Sequence, residues 1–90
     1  MINLTFQLFA KARDLCDGKP SITISIDPSC VSDLMMINIL TQVLPQQYSC
    51  LSQDFLSTVQ IAYNKKYINK NEHIVKNGDV YLIIPPISGG

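Results

Sequence analysis

The residues with the clearest chemical potential stand together at one end of the chain, Pro85-Pro86-Ile87-Ser88-Gly89-Gly90. Each proline ring fixes φ, so the pair holds the exit from the preceding segment extended. Gly89 and Gly90 carry no side chains, and a carboxylate on Gly90 can therefore be threaded into a narrow partner active site. A carboxylate is a poor electrophile. Joined to AMP from ATP it gains a good leaving group, and attack by a sulfur nucleophile then leaves a thiocarboxylate. The plain alternative is a frayed end. Glycine averages about 7% of residues, so a terminal pair arises by chance in roughly one chain in 200. Its place directly after an apolar strand and a Pro-Pro stop lifts it above that background.

The other candidate groups are sparser. Cys16, Cys30 and Cys50 are odd in number and fall in no metal-ligand spacing, which reads as small buried or half-buried thiols. A cysteine carrying sulfur as a persulfide would need a low-pKa, exposed thiol beside a cation, and only Lys19, near Cys16, offers one. His73 has no partner in sequence and reads as a surface group. There is no nucleophile–base pair, metal cluster or phosphate loop, so a self-contained enzyme is not expected, nor a metal.

The elements that must position the tail can be traced by periodicity. Ile2, Leu4, Phe6 and Leu8 alternate with Asn3, Thr5 and Gln7, which predicts a strand with one face on a core. The Ala-rich stretch 10–15 suits a short helical turn ending at Asp17-Gly18-Lys19-Pro20. Ile22, Ile24 and Ile26 give a second strand, paired antiparallel with the first through a wide connection. Ser29 is placed as the N-cap of a helix over about residues 31–44, with Asp33 near its positive end and Pro45 ending it. Asn38, Thr41 and Gln42 share its polar face, so the rest must lie across a sheet. Residues 45–57 read as a long, partly structured loop. Val59, Ile61 and Tyr63 form a third strand, Asn64-Lys65-Lys66 a turn and Tyr67-Ile68 a short return. After the turn Asn77-Gly78-Asp79, the run Val80-Tyr81-Leu82-Ile83-Ile84 is apolar on both faces, as expected of a buried central strand. The fold class is α+β: one main helix covers one face of a mixed sheet, with the last strand beside the first.

Composition narrows the function. Ninety residues suit one domain, 1–90 with its tail at 85–90, burying roughly 60–65% of the unfolded chain's surface. Seven basic residues balance seven acidic ones, leaving no electrostatic footprint for nucleic acid or an anionic membrane. Met1 leads directly into the first alternation and the longest apolar run is far too short to span a bilayer, so a soluble, cytosolic protein without a signal peptide is expected.

Four stretches carry a resemblance: Phe9-Ala10-Lys11-Ala12-Arg13-Asp14-Leu15, Val59-Gln60-Ile61-Ala62-Tyr63-Asn64, Asn77-Gly78-Asp79-Val80 and Ile84-Pro85-Pro86-Ile87-Ser88-Gly89-Gly90. With them the chain resembles, over nearly its whole length, the family of small sulfur-carrying subunits of molybdopterin synthase, relatives of ubiquitin and of the thiamine-pathway sulfur carrier. One departure is Cys16-Asp17, where the family would place a glycine soon after Leu15, though Gly18 can serve a similar turn. The resemblance implies a ubiquitin-like β-grasp fold. It implies that a ubiquitin-activating-like adenylyltransferase uses ATP to adenylate Gly90, and that a sulfurtransferase converts it to a thiocarboxylate. The tail would then enter the large synthase subunit and give its sulfur to cyclic pyranopterin monophosphate, two such transfers building the dithiolene. Catalytic side chains would belong to the large subunit, in a heterotetramer, and no cofactor would be bound permanently.

The resemblance also implies a partner-facing surface of Phe9, Arg13, Tyr67 and Ile84. Each has a plainer reading: Phe9 as core, Arg13 as a solvated charge, Tyr67 and Ile84 as internal packing. An exposed apolar patch around the tail's exit would favour the interface. The alternatives are a sulfur carrier for thiamine or tRNA thiolation, a ubiquitin-like modifier joined to lysines through Gly90, and a β-grasp interaction module with an inert tail.

Overall fold

The computed structural model describes residues 1–30 and 33–86. The first alternation becomes strand β1, Ile2–Leu8, with Leu4, Phe6 and Leu8 buried. A short helix α1, Lys11–Leu15, follows and seats Ala12 in the core. Asp17 (φ 59°) and Gly18 (φ 77°) both take left-handed backbone, and the Gly18 amide donates back to the Arg13 carbonyl at 2.9 Å. The helix is thus closed by a terminal reversal in which Asp17 fills a position glycine usually holds. Strand β2, Ser21–Ile26, returns antiparallel to β1 in the register Phe6 to Ile22, Leu4 to Ile24 and Ile2 to Ile26. Both apolar sets therefore fall on one face.

The main helix departs from expectation at both ends. Among the described residues Ser29 caps no amide: its own amide and hydroxyl both donate to Asp27 Oδ1, at 3.0 and 2.8 Å, within the 3₁₀ turn Pro28–Cys30. Helical structure starts at α2, Met36–Asn38, passes through a π-helical turn, Ile39–Val43, and continues as α3, Leu44–Gln47. Its start is set from outside, because the Met36 amide donates to the His73 carbonyl at 2.8 Å and Ile37 to that of Lys70 at 2.9 Å. These bonds satisfy amides that the first helical turn leaves without partners. Its end runs through Pro45, which has no N–H to give the Thr41 carbonyl; the wider spacing of the π turn absorbs the missing bond. Within 45–57, expected as loop, a further helix α4, Gln53–Leu56, begins at Ser52, whose Oγ accepts the Phe55 amide at 3.1 Å.

Strands β3, Gln60–Tyr63, and β4, Lys66–Tyr67, form a hairpin. Asn64 and Lys65 at its tip both have positive φ, 57° and 68°, the conformation of the tight turn that matches strand twist. Strand β5, Val80–Ile84, completes the order β2-β1-β5-β3-β4. It lies parallel to β1 and antiparallel to β3 at the centre of the sheet. This is the β-grasp arrangement. The core lies between one sheet face (Leu4, Phe6, Ile24, Ile61, Tyr81, Ile83) and the helical layer (Met36, Ile39, Leu40, Leu44, Leu56). The edge of β2 is closed by side chains: Gln47 Nε2 donates to the Ser25 carbonyl at 2.8 Å and the Tyr48 hydroxyl to that of Thr23 at 3.3 Å.

Candidate functional site

Strand β5 delivers the chain to Pro85, half-buried, and Pro86, exposed. The sequence-predicted residues Ile87, Ser88, Gly89 and Gly90 lie outside the described residues. What the structure provides is the platform from which they leave. Because β1 and β5 are parallel, Leu8 pairs with Ile83, and the ends of both strands meet at one rim. Phe9 follows β1 there, 37% exposed, beside the end of β5 at Ile84. Arg13, exposed on α1, folds back so that its Nε donates to the Leu8 carbonyl at 3.3 Å. The rim therefore gathers Phe9, Arg13 and Ile84. Between Phe9 and Arg13 sits Ala10 at φ 50°, ψ −123°, a conformation that favours glycine.

Tyr67 lies farther off, on β4, yet on a connected surface. It pairs with Ala62, which pairs with Leu82, which pairs with Gln7. These pairings put Leu82, Ala62 and Tyr67 in one row on the sheet face opposite the helices, since directly paired residues point the same way. Val80 and Ile84 share that face with Leu82. The central strand is thus not buried on both faces, as its composition suggested: Val80 is 42% exposed, and Leu82 and Ile84 are half-buried; on the neighbouring edge strand Tyr67 is 68% exposed. The helical layer covers one face only. On the β1–β2 half the same outer face carries Thr5, Gln7, Ser21, Thr23 and Ser25. The apolar strip is therefore confined to the half of the sheet from which the tail leaves. An apolar centre with a polar margin is the make-up of a docking surface. Val80 and Leu82 were missed as surface residues because a wholly apolar strand reads as doubly buried. The polar Thr5 and Gln7, once paired with Val80 and Leu82, are the signal that this face is open.

His73 is not the unpartnered surface group its sequence context suggested. Its Nε2 lies 2.8 Å from the Tyr81 hydroxyl and its ring centroid 5.2 Å from that of Tyr63. The Tyr81 hydroxyl donates to Asp79 Oδ2 at 2.8 Å, the Tyr63 hydroxyl to Asp79 Oδ1 at 3.1 Å, and the Lys76 amide to Asp79 Oδ2 at 2.9 Å. Burial, then Asp79, pushes the Tyr81 phenol up; the hydrogen bond to Asp79 raises that of Tyr63. Both phenols are held as neutral donors to a carboxylate. The cluster clamps the start of β5, at the end away from the tail.

Cys16 is buried, and its Sγ lies 3.1 Å from that of Cys50. Burial, reinforced by the hydrogen bond to Cys50, pushes the Cys16 thiol up to about 12, and Lys19 opposes this only weakly. A persulfide carrier needs the reverse, an exposed thiol of low pKa. Among the described residues no group of three or more His, Cys, Asp or Glu is placed to hold a metal ion. No helix among them is long and apolar enough to cross a membrane.

The family model described as the ThiS family matches residues 6–90. The molybdopterin synthase sulfur carrier subunit of Dictyostelium discoideum is 34% identical over 84 residues, covering 92% of this chain and 91% of that protein. Among solved structures, small archaeal modifier protein 1 of Haloferax volcanii gives a TM-score of 0.74 at 16% identity, over 97% of this chain and 100% of that one. A chain from the complex of subunits 1 and 2 of molybdopterin-converting factor from Helicobacter pylori 26695 gives 0.62 at 19% identity, over 99% and 100%. At these identities the structural likenesses establish the fold.

Proposed function

The chain belongs to the ThiS family and is a sulfur carrier of that type, and from that premise we propose that it is the small subunit of a molybdopterin synthase. The carboxylate of Gly90 attacks the α-phosphate of ATP in the active site of an adenylyltransferase partner, releasing pyrophosphate and leaving an acyl-adenylate. A sulfurtransferase supplies sulfur at the oxidation level of hydrosulfide; this attacks the acyl carbon, AMP departs with the bonding pair, and a thiocarboxylate remains. The tail then carries this sulfur into the large subunit, where it is transferred to cyclic pyranopterin monophosphate to build the dithiolene. ATP is consumed by the activating enzyme and stays a co-substrate.

The observation that carries this reading is the apolar strip Val80, Leu82, Ile84 and Tyr67, on the same face as the buried Ala62 and beside the exit of a Gly-Gly tail. A carrier must be gripped by its body while its terminus is handled elsewhere. The large subunit docks on that strip and on the rim of Phe9 and Arg13, twice in a heterotetramer. The 34% identity to a sulfur carrier subunit of this synthase favours this substrate over thiamine or tRNA thiolation.

The test is the intact mass of the protein purified from its own cells with the activating enzyme present. A fraction heavier by the difference between sulfur and oxygen, mapped to Gly90 and lost when Gly90 is deleted, supports the reading. A terminus that stays an ordinary carboxylate under those conditions refutes it. Isopeptide adducts of Gly90 on lysines of other proteins would point instead to a modifier.

A further inference from the structure

Cys16 and Cys50 come from separate parts of the chain, 34 positions apart, yet their sulfurs are 3.1 Å from each other. Both segments are anchored. Cys16 closes α1, its amide donating to the Arg13 carbonyl and its own carbonyl accepting the Lys19 amide, each at 3.1 Å. Cys50 precedes Leu51, which is fully buried and whose amide donates to the Tyr48 carbonyl at 2.9 Å. Cys16 and Leu51 belong to the same apolar core. The two thiols thus face each other because the fold holds them so. The pair also lies at one recess, lined by Cys16, Asp17, Lys19, Tyr48, Ser49 and Cys50 and open to solvent, with Cys50 exposed and Cys16 buried.

We propose that Cys16 and Cys50 form a two-electron thiol–disulfide couple, Cys50 as the attacked or attacking thiol at the surface and Cys16 as the resolving thiol beneath it. The co-reactant is a low-molecular-weight disulfide. The Cys50 thiolate attacks one of its sulfurs, a mixed disulfide forms on Cys50, and the first small thiolate leaves. The Cys16 sulfur then attacks Cys50 Sγ, its proton passing to the second departing thiolate. The two protein thiols are oxidised to one disulfide, and the small disulfide is reduced to two thiols. An S–S bond of about 2.05 Å asks the sulfurs to close by about 1 Å from where they stand. Burial makes Cys16 inert toward outside reagents, so its reaction is confined to a sulfur already in contact with it. The bond ties the end of α1 to the turn after α3 and leaves the tail untouched.

The test uses oxidised glutathione on the folded Cys30→Ser protein, followed by peptide mapping under non-reducing conditions. The expected product has lost two hydrogens and shows a Cys16–Cys50 cross-linked peptide. Its thermal midpoint is higher by at least ~5 °C, a gain reversed by dithiothreitol, because the cross-link restricts the unfolded chain. Cys16→Ser, with no resolving thiol, stops at a glutathione adduct on Cys50. A stable Cys50 adduct with Cys16 still free in the Cys30→Ser protein would overturn the proposal. So would a cross-link that forms only in denaturant, or one that lowers the thermal midpoint.

Discussion

Replacing Ala10 by glycine should stabilise the protein, against the usual direction of an alanine-to-glycine change. Ala10 stands at φ 50°, ψ −123°, the first central position of a tight turn closed by the Ala12 amide donating to the Phe9 carbonyl at 3.0 Å. There a Cβ crowds the adjacent backbone, at a cost of about 1–3 kcal/mol for a residue held in such a region. Glycine removes that strain but gives the unfolded chain more freedom, which takes back about 0.4–1 kcal/mol. The net gain is about 1 kcal/mol, or roughly 4–8 °C in thermal midpoint for a domain of this size. Urea titration with the slope unchanged would measure it. Ala10→Val should move the other way, because a β-branched side chain fits this conformation worse than alanine. A glycine variant less stable than the parent, with valine equal to alanine, would refute the assignment of strain to this turn. The result also bears on the docking rim, since Ala10 sets the direction in which Phe9 and the Arg13-bearing helix leave β1.

Three further outcomes are expected. Tyr81→Phe keeps the ring stacked on Phe6 but deletes the hydroxyl joining Asp79 to His73; it should cost about 1–2 kcal/mol in chemical denaturation. Ser52→Ala removes the Oγ that accepts the Phe55 amide and should cost about 1 kcal/mol, most of it restored by Ser52→Asp. Cys16 is raised in the folded state from its ordinary 9.0 to about 12, so its contribution is whole below pH 9.0 and is lost as pH climbs toward the folded value. Stability measured under reducing conditions should therefore begin to fall just above pH 9.0, before the tyrosines add to the slope, and Cys16→Ala should flatten that first part.

Much of this architecture could be read directly from residue patterns. The alternations at Ile2–Leu8 and Ser21–Ile26 named their strands, and the apolar run Val80–Ile84 named the central one. What escaped depends on contacts distant in sequence. The start of the main helix is fixed by carbonyls of Lys70 and His73, which no local cap at Ser29 could reveal. Its passage through Pro45 relies on a π turn, a backbone adjustment with no residue signature of its own. Helix α4 did have a signal, Ser52 three residues before Phe55, obscured by the polar stretch around it. The open face of β5 was hidden because apolarity reports burial whether the cover is the chain's own or a partner's. Of the candidate site, the grouping of Phe9, Arg13 and Ile84 follows from the parallel pairing of β1 with β5, whereas Gly90 and its neighbours 87–89 lie beyond the described residues.

The capped edge of β2 has a consequence for how crowded solutions of this protein behave. An exposed edge strand invites a second molecule to add its own strand, the first step toward fibres. Here the outward carbonyls of Thr23 and Ser25 already accept from Tyr48 and Gln47, so an incoming strand would find its acceptors taken. At the opposite edge β4 offers only Lys66 and Tyr67, too short to template a ladder. A molecule that keeps an apolar face uncovered is exposed to indiscriminate stickiness. Closing both margins of the sheet leaves association to side-chain complementarity on that face alone, and makes Gln47 and Tyr48 gatekeepers against polymerisation.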